Sequence, residues 1–159
     1  LYRLAPDLSL THLLPNITVS NGIAFSQEEN IIYFADTPTG RIQKFEYSQD
    51  FKKLNELDSN LIFNDVGVPD GATIDSQNNY WSARVRGNCI ICIDIKKEKI
   101  LKKINLPTAT PTCLTFGGPD SSNLFVTSLR AEPINDSKDG NLYKVETNTQ
   151  GQKQLLSDI

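Results

Sequence analysis

Methionine is absent from the 159 residues, and histidine and tryptophan occur once each. The chain opens at Leu1 in what already reads as the middle of a strand, so further sequence is expected to precede it. No positively charged start followed by an apolar core is present, and no secretion signal is read. Long apolar runs are also missing: the longest, residues 31–35 and 89–93, fall far short of the roughly 20 residues a membrane helix needs. The chain is therefore expected to be soluble, with a cytoplasmic default and no membrane partner. Clustered cations are equally scarce. Sixteen Lys and Arg stand against nineteen Asp and Glu, a formal net charge of −3, with the acidic groups scattered. This disfavours a nucleic-acid partner, whose affinity rests on gathered positive charge.

Two glycosylation sequons, Asn16-Ile17-Thr18 and Asn135-Asp136-Ser137, are three-residue patterns frequent by chance and carry no argument. The three cysteines, Cys89, Cys92 and Cys113, cannot all pair within the chain. Cys89 and Cys92 have the spacing of a redox or zinc pair, yet they sit in Cys-Ile-Ile-Cys-Ile-Asp-Ile, a β-branched run that reads as a strand. Residues three apart on a strand point to opposite faces, so the two thiols are expected to be buried, reduced and separate. No Gly-x-Ser-x-Gly elbow occurs, which argues against a covalent serine mechanism. Gly117-Gly118-Pro119-Asp120 is no phosphate loop, because no helix follows it.

What the sequence does contain is a repeat. One unit reads Asn21-Gly22-Ile23-Ala24-Phe25, then Ile31-Ile32-Tyr33-Phe34-Ala35-Asp36, then Gly40-Arg41-Ile42. The next reads Asp70-Gly71-Ala72-Thr73-Ile74, then Tyr80-Trp81-Ser82-Ala83, then Gly87-Asn88-Cys89; a third reads Thr112-Cys113-Leu114-Thr115-Phe116, then Leu124-Phe125-Val126-Thr127, then Gly140-Asn141-Leu142. Taking Leu1, Ile42, Cys89 and Leu142 as equivalent gives steps of 41, 47 and 53 residues, a mean of 47 and about 3.4 units in the chain. No stretch keeps a helical period over three turns. Short strands, four to a unit of this length, predict an all-β fold built as a partial β-propeller of three to four blades. A β-sandwich also has short strands and frequent turns, but the recurring Asn/Asp-Gly start, aromatic second strand and Gly before the third strand favour the propeller. A closed ring normally needs at least four blades, so this chain alone leaves an open edge.

The segments Val19-Ser20-Asn21-Gly22-Ile23-Ala24-Phe25-Ser26, Val68-Pro69-Asp70-Gly71-Ala72-Thr73-Ile74-Asp75 and Pro111-Thr112-Cys113-Leu114-Thr115-Phe116-Gly117-Gly118, in this order, resemble the gluconolactonase, regucalcin and senescence-marker-protein family. The resemblance runs from Leu1 to about Leu156 and is to the C-terminal half of that family's propeller. It implies a six-bladed propeller about twice this length, one divalent ion in the central channel, often calcium with Zn2+, Mg2+ or Mn2+ as alternatives, and hydrolysis of sugar lactones and related esters. It further implies that Asn21 and Asp70 match two metal ligands. The family's Glu ligand near the N-terminus and its substrate-gripping Arg and Asn have no counterpart here, so the chain reads as a fragment. Closing the ring requires the remaining blades.

The repeat supplies its own reason to single out these residues, since Asn21, Asp70 and Thr112 stand at one position in three successive units. Equivalent positions on inner strands converge at a propeller axis, and an amide oxygen with a carboxylate there is part of an oxygen cage of the kind calcium prefers. Alone, Asn-Gly and Asp-Gly are turn dipeptides. A channel metal polarises a lactone carbonyl while a carboxylate takes the proton of the attacking water; Asp70 is the expected general base as well as a ligand. The competing readings are a paraoxonase- or strictosidine-synthase-like enzyme and a non-catalytic protein-binding propeller. Tyr33 and Trp81 are expected to pack between blades, Asp36 to cap a turn, and His12 to be structural or exposed. Arg84 and Arg86 are candidates to face the channel mouth and meet an anionic substrate, with no role committed to them.

Overall fold

Runs such as Ile31-Ile32-Tyr33-Phe34 and Cys89-Ile90-Ile91-Cys92-Ile93 are rich in the branched and aromatic side chains that suit a pleated surface. The turns between such runs hold residues at positive φ: Asn30 (φ 52°), Asn78 (φ 63°), Asn88 (φ 53°) and Gly118 (φ 92°) each stand in a hairpin connection. A computed structural model describes residues 1–26, 28–130 and 138–153, and the side chain of residue 60 is outside the description. The Asn135 sequon lies outside the described residues.

Among the described residues thirteen strands form four antiparallel sheets. The first is β1 (Tyr2–Leu4) with β2 (Leu10–His12). The second runs β3 (Ser20–Ser26), β4 (Ile31–Asp36), β5 (Arg41–Tyr47) and β6 (Leu54–Ile62). The third runs β7 (Val68–Ile74), β8 (Tyr80–Val85), β9 (Cys89–Asp94) and β10 (Lys99–Asn105). The fourth is β11 (Pro111–Gly117), β12 (Asn123–Ser128) and β13 (Leu142–Glu146). Two complete four-stranded blades are thus flanked by parts of two others, the partial propeller that the repeat predicts. The register corrects one equivalence: Ile42 lies opposite Ala35 and Leu142 opposite Thr127, but in the middle blade Ile90, not Cys89, lies opposite Ala83.

Cores lie between blades rather than within them. Tyr33, Ala35 and Ile42 of the second sheet meet Tyr80, Ile91 and Ile93 of the third. Trp81, Ile90 and Cys92 on the third sheet's other face meet Leu114, Leu124 and Val126 of the fourth. In the middle blade β8 and β9 are therefore covered on both faces, which is why β9 reads as an unbroken apolar run, and each fully buried Ile or Leu contributes about 1.5–3 kcal/mol. Cys89 and Cys92 fall in different cores, both buried and free, as their spacing on a strand requires. Trp81 meets Phe116 edge-on at 5.9 Å and Tyr33 meets Tyr80 at 5.6 Å, so both aromatics pack between blades. At the two ends of the array the apolar side chains stay open, with Leu10 66% and Leu142 66% exposed. Among the described residues no helix is long and apolar enough to cross a membrane.

Candidate functional site at the inner strands

The first strands of the three larger sheets, β3, β7 and β11, neighbour one another. Each carries one residue too many for its partner strand, and at the same level. In β3 the pairing jumps from Asn21↔Ala35 to Ala24↔Tyr33; in β7 it jumps from Pro69↔Arg84 to Ala72↔Ser82; in β11 it jumps from Pro111↔Ser128 to Cys113↔Thr127. A bulge of this kind bends the strand and re-aims its side chains. Asn21, Asp70 and Thr112 all stand at these bulges.

Glycine lets the bulges touch. Gly22 has φ +57°, and a Cβ there would collide with the Tyr80 hydroxyl, lie 3.0 Å from the Ala35 Cβ and lie 3.3 Å from the Asp70 carbonyl oxygen. One blade further on, a Cβ on Gly71 would lie 2.8 Å from the Thr112 carbonyl oxygen and 2.7 Å from the Cys113 sulfur. The residue after each expected ligand is thus pressed on the backbone of the next ligand position. A cleft of about 260 Å³ follows this seam, lined by Ser20, Asn21, Gly22, Gly71 and Cys113 among others.

Asn21 is half-buried and donates from Nδ2 to the Thr37 hydroxyl at 2.8 Å, which turns its amide oxygen away from Thr37. Asp70 is half-buried on β7 and has no ion-pair partner among the described residues. Burial pushes its carboxyl above the ordinary carboxylate range, and the Gly71 N–H, which hydrogen-bonds to it, pulls the other way. No hydrogen bond joins the Asn21 and Asp70 side chains, and Asp70 is not among the residues lining the cleft. Thr112, at the third position, spends its hydroxyl on Thr127 Oγ1 at 2.8 Å.

Other expectations resolve individually. Arg84 does not face a channel mouth: it is fully buried, and Nη2 donates to the carbonyls of Phe63 (2.8 Å) and Gly67 (2.6 Å). It therefore anchors the 63–67 connection that leads into β7. Arg86 is exposed beside it. The Asp36 carboxylate accepts from the backbone N–H groups of Thr18 (3.1 Å) and Val19 (2.7 Å), capping the approach to β3 rather than the turn that follows it. His12 stacks on Tyr2 at 4.6 Å in the outer strands, remote in role from the inner-strand bulges.

No group of three or more His, Cys, Asp and Glu side chains gathers among the described residues. The donors at the bulges are a neutral amide oxygen and a carboxylate without a cation partner. That set fits a hard, oxygen-seeking divalent ion and supplies only part of the 6–8 ligands calcium takes. Sequence reasoning did not find the bulges or Thr37; the only signal for the latter was a hydroxyl where the next two blades have Val85 and Leu129.

Residues 1–130 match the family model described as SMP-30/Gluconolactonase/LRE-like region. The chain is 30% identical over 151 residues to regucalcin of Xenopus laevis, which covers 91% of this chain and 50% of that protein. It is 34% identical over 116 residues to the 6-deoxy-6-sulfogluconolactonase of Pseudomonas putida, covering 72% and 40% respectively. The crystal structure of regucalcin from Agrobacterium tumefaciens, a calcium-binding protein, superposes with a TM-score of 0.86 at 24% identity, over 99% of this chain and 55% of that one. The chain spans about half the length of the curated relatives it matches, 49–58% for the first three. Carrying that family's sequence over most of its length and its fold over nearly all of it, the chain belongs to the SMP-30/gluconolactonase/LRE-like family.

Proposed function

We propose that this chain supplies part of the active site of a divalent-metal-dependent sugar-lactone hydrolase, with Asn21 and Asp70 as metal ligands and Asp70 as general base. The observation that carries the reading is the pair of matching bulges that sets an amide oxygen and a carboxylate, the latter without an ion-pair partner among the described residues, on adjoining inner strands. Relatives named for lactone hydrolysis and for calcium binding support the same chemistry. When bound, a calcium-type ion supplies Lewis acidity toward a carbonyl oxygen.

Asn21 contributes a neutral oxygen, so it binds without adding charge. Asp70 takes, at a carboxylate oxygen, the proton of the water that attacks the lactone carbonyl; as the tetrahedral adduct collapses and the ring C–O bond breaks, Asp70 returns that proton to the leaving ring oxygen, and a hydroxy acid leaves. Its raised carboxyl value makes it a better proton acceptor than an exposed aspartate, whereas ligation opposes that gain. The shell is completed by donors outside this chain, together with the blades that cover its open ends, where Leu10 and Leu142 are 66% exposed. On its own the chain is expected to bind calcium weakly and to show no lactonase activity above background.

The test is a pH-stat assay of aldonolactone hydrolysis, in chelated and in calcium-saturated buffer, on the closed-ring protein that contains these residues and on the chain alone. Calcium-dependent turnover by the former, abolished in Asp70→Asn, is expected. Turnover indifferent to both chelation and Asp70→Asn overturns the proposal.

A further inference from the structure

The Thr37 hydroxyl sits between the two ligand-bearing strands and bonds to both. It accepts from Asn21 Nδ2 at 2.8 Å and donates to the Pro69 carbonyl oxygen at 2.8 Å, immediately before Asp70. The second bond fixes the first. A hydroxyl has one hydrogen, and with that hydrogen given to Pro69 only lone pairs remain to face Asn21. The amide must then present its NH2 group to Thr37, and its oxygen is turned the other way. Were the amide reversed, two acceptor oxygens would meet with no hydrogen between them.

The repeat argues that this hydroxyl is not a requirement of the fold. Ser20, Pro69 and Pro111 pair with Asp36, Arg84 and Ser128, so the next residues on the second strands, Thr37, Val85 and Leu129, are equivalent. Two of the three blades close with an aliphatic side chain there. The hydroxyl occurs only in the blade whose inner strand carries an asparagine, the one ligand type that has a wrong way round.

We infer that Thr37 is a positioning residue for the metal site: it orients the Asn21 amide with oxygen available for the ion and locks that ligand to the strand that carries Asp70. This rests on the metal reading proposed above. Loss of an outer partner of this kind typically weakens metal binding by about 10–100-fold, and the lower end is expected because Asn21 is neutral and retains its own strand position.

The experiment uses the full chain and calcium itself as probe, followed by 1H–15N NMR, which reads even millimolar dissociation constants. In the metal-free protein the Asn21 side-chain NH2 should give one hydrogen-bonded, slowly exchanging proton. Thr37→Val should erase that signature and weaken calcium binding about tenfold; Thr37→Ser should restore both. In an Asn21→Asp background both terminal atoms are oxygens, orientation no longer matters, and adding Thr37→Val should cost little further affinity. A hydroxyl that merely staples two blades would keep its full effect in that background, and such a result overturns the inference, as does a Thr37→Val protein with an unchanged Asn21 amide and unchanged calcium titration. Weaker binding in Asn21→Ala with Thr37→Val like wild type sinks this inference alone. Identical titrations of wild type and Asn21→Ala sink the metal reading and this inference with it.

Discussion

Tyr80 donates from its hydroxyl to the Gly22 carbonyl at 2.6 Å, across the boundary between two blades and next to the first expected ligand. Both residues are buried, and burial holds the Tyr80 hydroxyl far above its ordinary titration range, so it serves as a permanent donor at any working pH. Tyr80→Phe leaves the Gly22 carbonyl without its partner, a loss of about 1–3 kcal/mol. Gly22→Ala should cost more, because it adds the strain of positive φ, about 1–3 kcal/mol, to a collision with the Tyr80 hydroxyl. Thermal unfolding by circular dichroism should show midpoints in the order wild type, Tyr80→Phe, Gly22→Ala. A Gly22→Ala protein as stable as wild type would show that the bulge does not press on its neighbour.

Asp75, at the far end of β7, gathers four donors on one buried carboxylate. Gln77 N and Asn79 N each donate at 2.9 Å, Asn79 Nδ2 at 3.1 Å and the Trp81 indole Nε1 at 2.8 Å. The motif thus shapes the β7–β8 hairpin and also seats Trp81 between two blades. Asp75→Ala strands the indole N–H in an apolar setting and should lower stability by about 2–4 kcal/mol, with Asp75→Asn in between. Urea titration of tryptophan fluorescence measures both, since Trp81 is the chain's single tryptophan. A shift under 0.5 M in the midpoint for Asp75→Ala would contradict the role given to it.

These two arrangements mark the line between what the chain discloses as a sequence and what it does not. The blades were legible because Asn21-Gly22, Asp70-Gly71 and the Gly before each third strand recur, and a repeating unit must bury its faces on its neighbours. The positions of Asn21 and Asp70 followed from the same register. The bulges were not legible: one extra residue in a strand is a fact about pairing, and Pro69, Asp70 and Gly71 look alike whether or not Ala83 faces one residue or two. Thr37 carries no mark in the sequence beyond a hydroxyl before a proline, since its partner Pro69 lies 32 residues away. Arg84 misled because a cation is expected in water, whereas two backbone carbonyls hold it inside. The one-residue displacement of Cys89 has the same origin as the bulges, since apolar neighbours 89–93 offer no landmark for register.

Asp70 should be a stability liability in the metal-free protein. Burial raises its carboxyl above the ordinary value of 3.8, so the fold prefers the protonated form. The resulting penalty is absent below the unfolded value, grows as pH rises through the window up to the folded value, and is fully present at neutral pH. In chelated buffer Asp70→Asn should therefore melt slightly above wild type at pH 7, and the difference should vanish near pH 3.5. Saturating calcium should reverse the order at pH 7, because the ion relieves the buried charge of wild type only. A variant less stable than wild type at pH 7 without calcium would mean that the carboxylate is already compensated within the chain.

In the closed-ring protein at saturating calcium, Asp70→Asn should cost far more turnover than Asn21→Ala. Asparagine keeps the size of aspartate and one oxygen donor but loses the charge and the proton acceptor, and loss of a general base typically lowers rate by about 10² to 10⁴. Asn21 contributes one neutral oxygen, which water can replace when the ion is abundant, so its loss should appear chiefly as a higher calcium requirement. The two variants thus separate along different axes, rate for one and metal concentration for the other. Initial rates of aldonolactone hydrolysis across a calcium series resolve both. If Asp70→Asn kept near-normal turnover while Asn21→Ala did not, Asp70 would hold the ion only, and the proton of the attacking water would have to leave by another group.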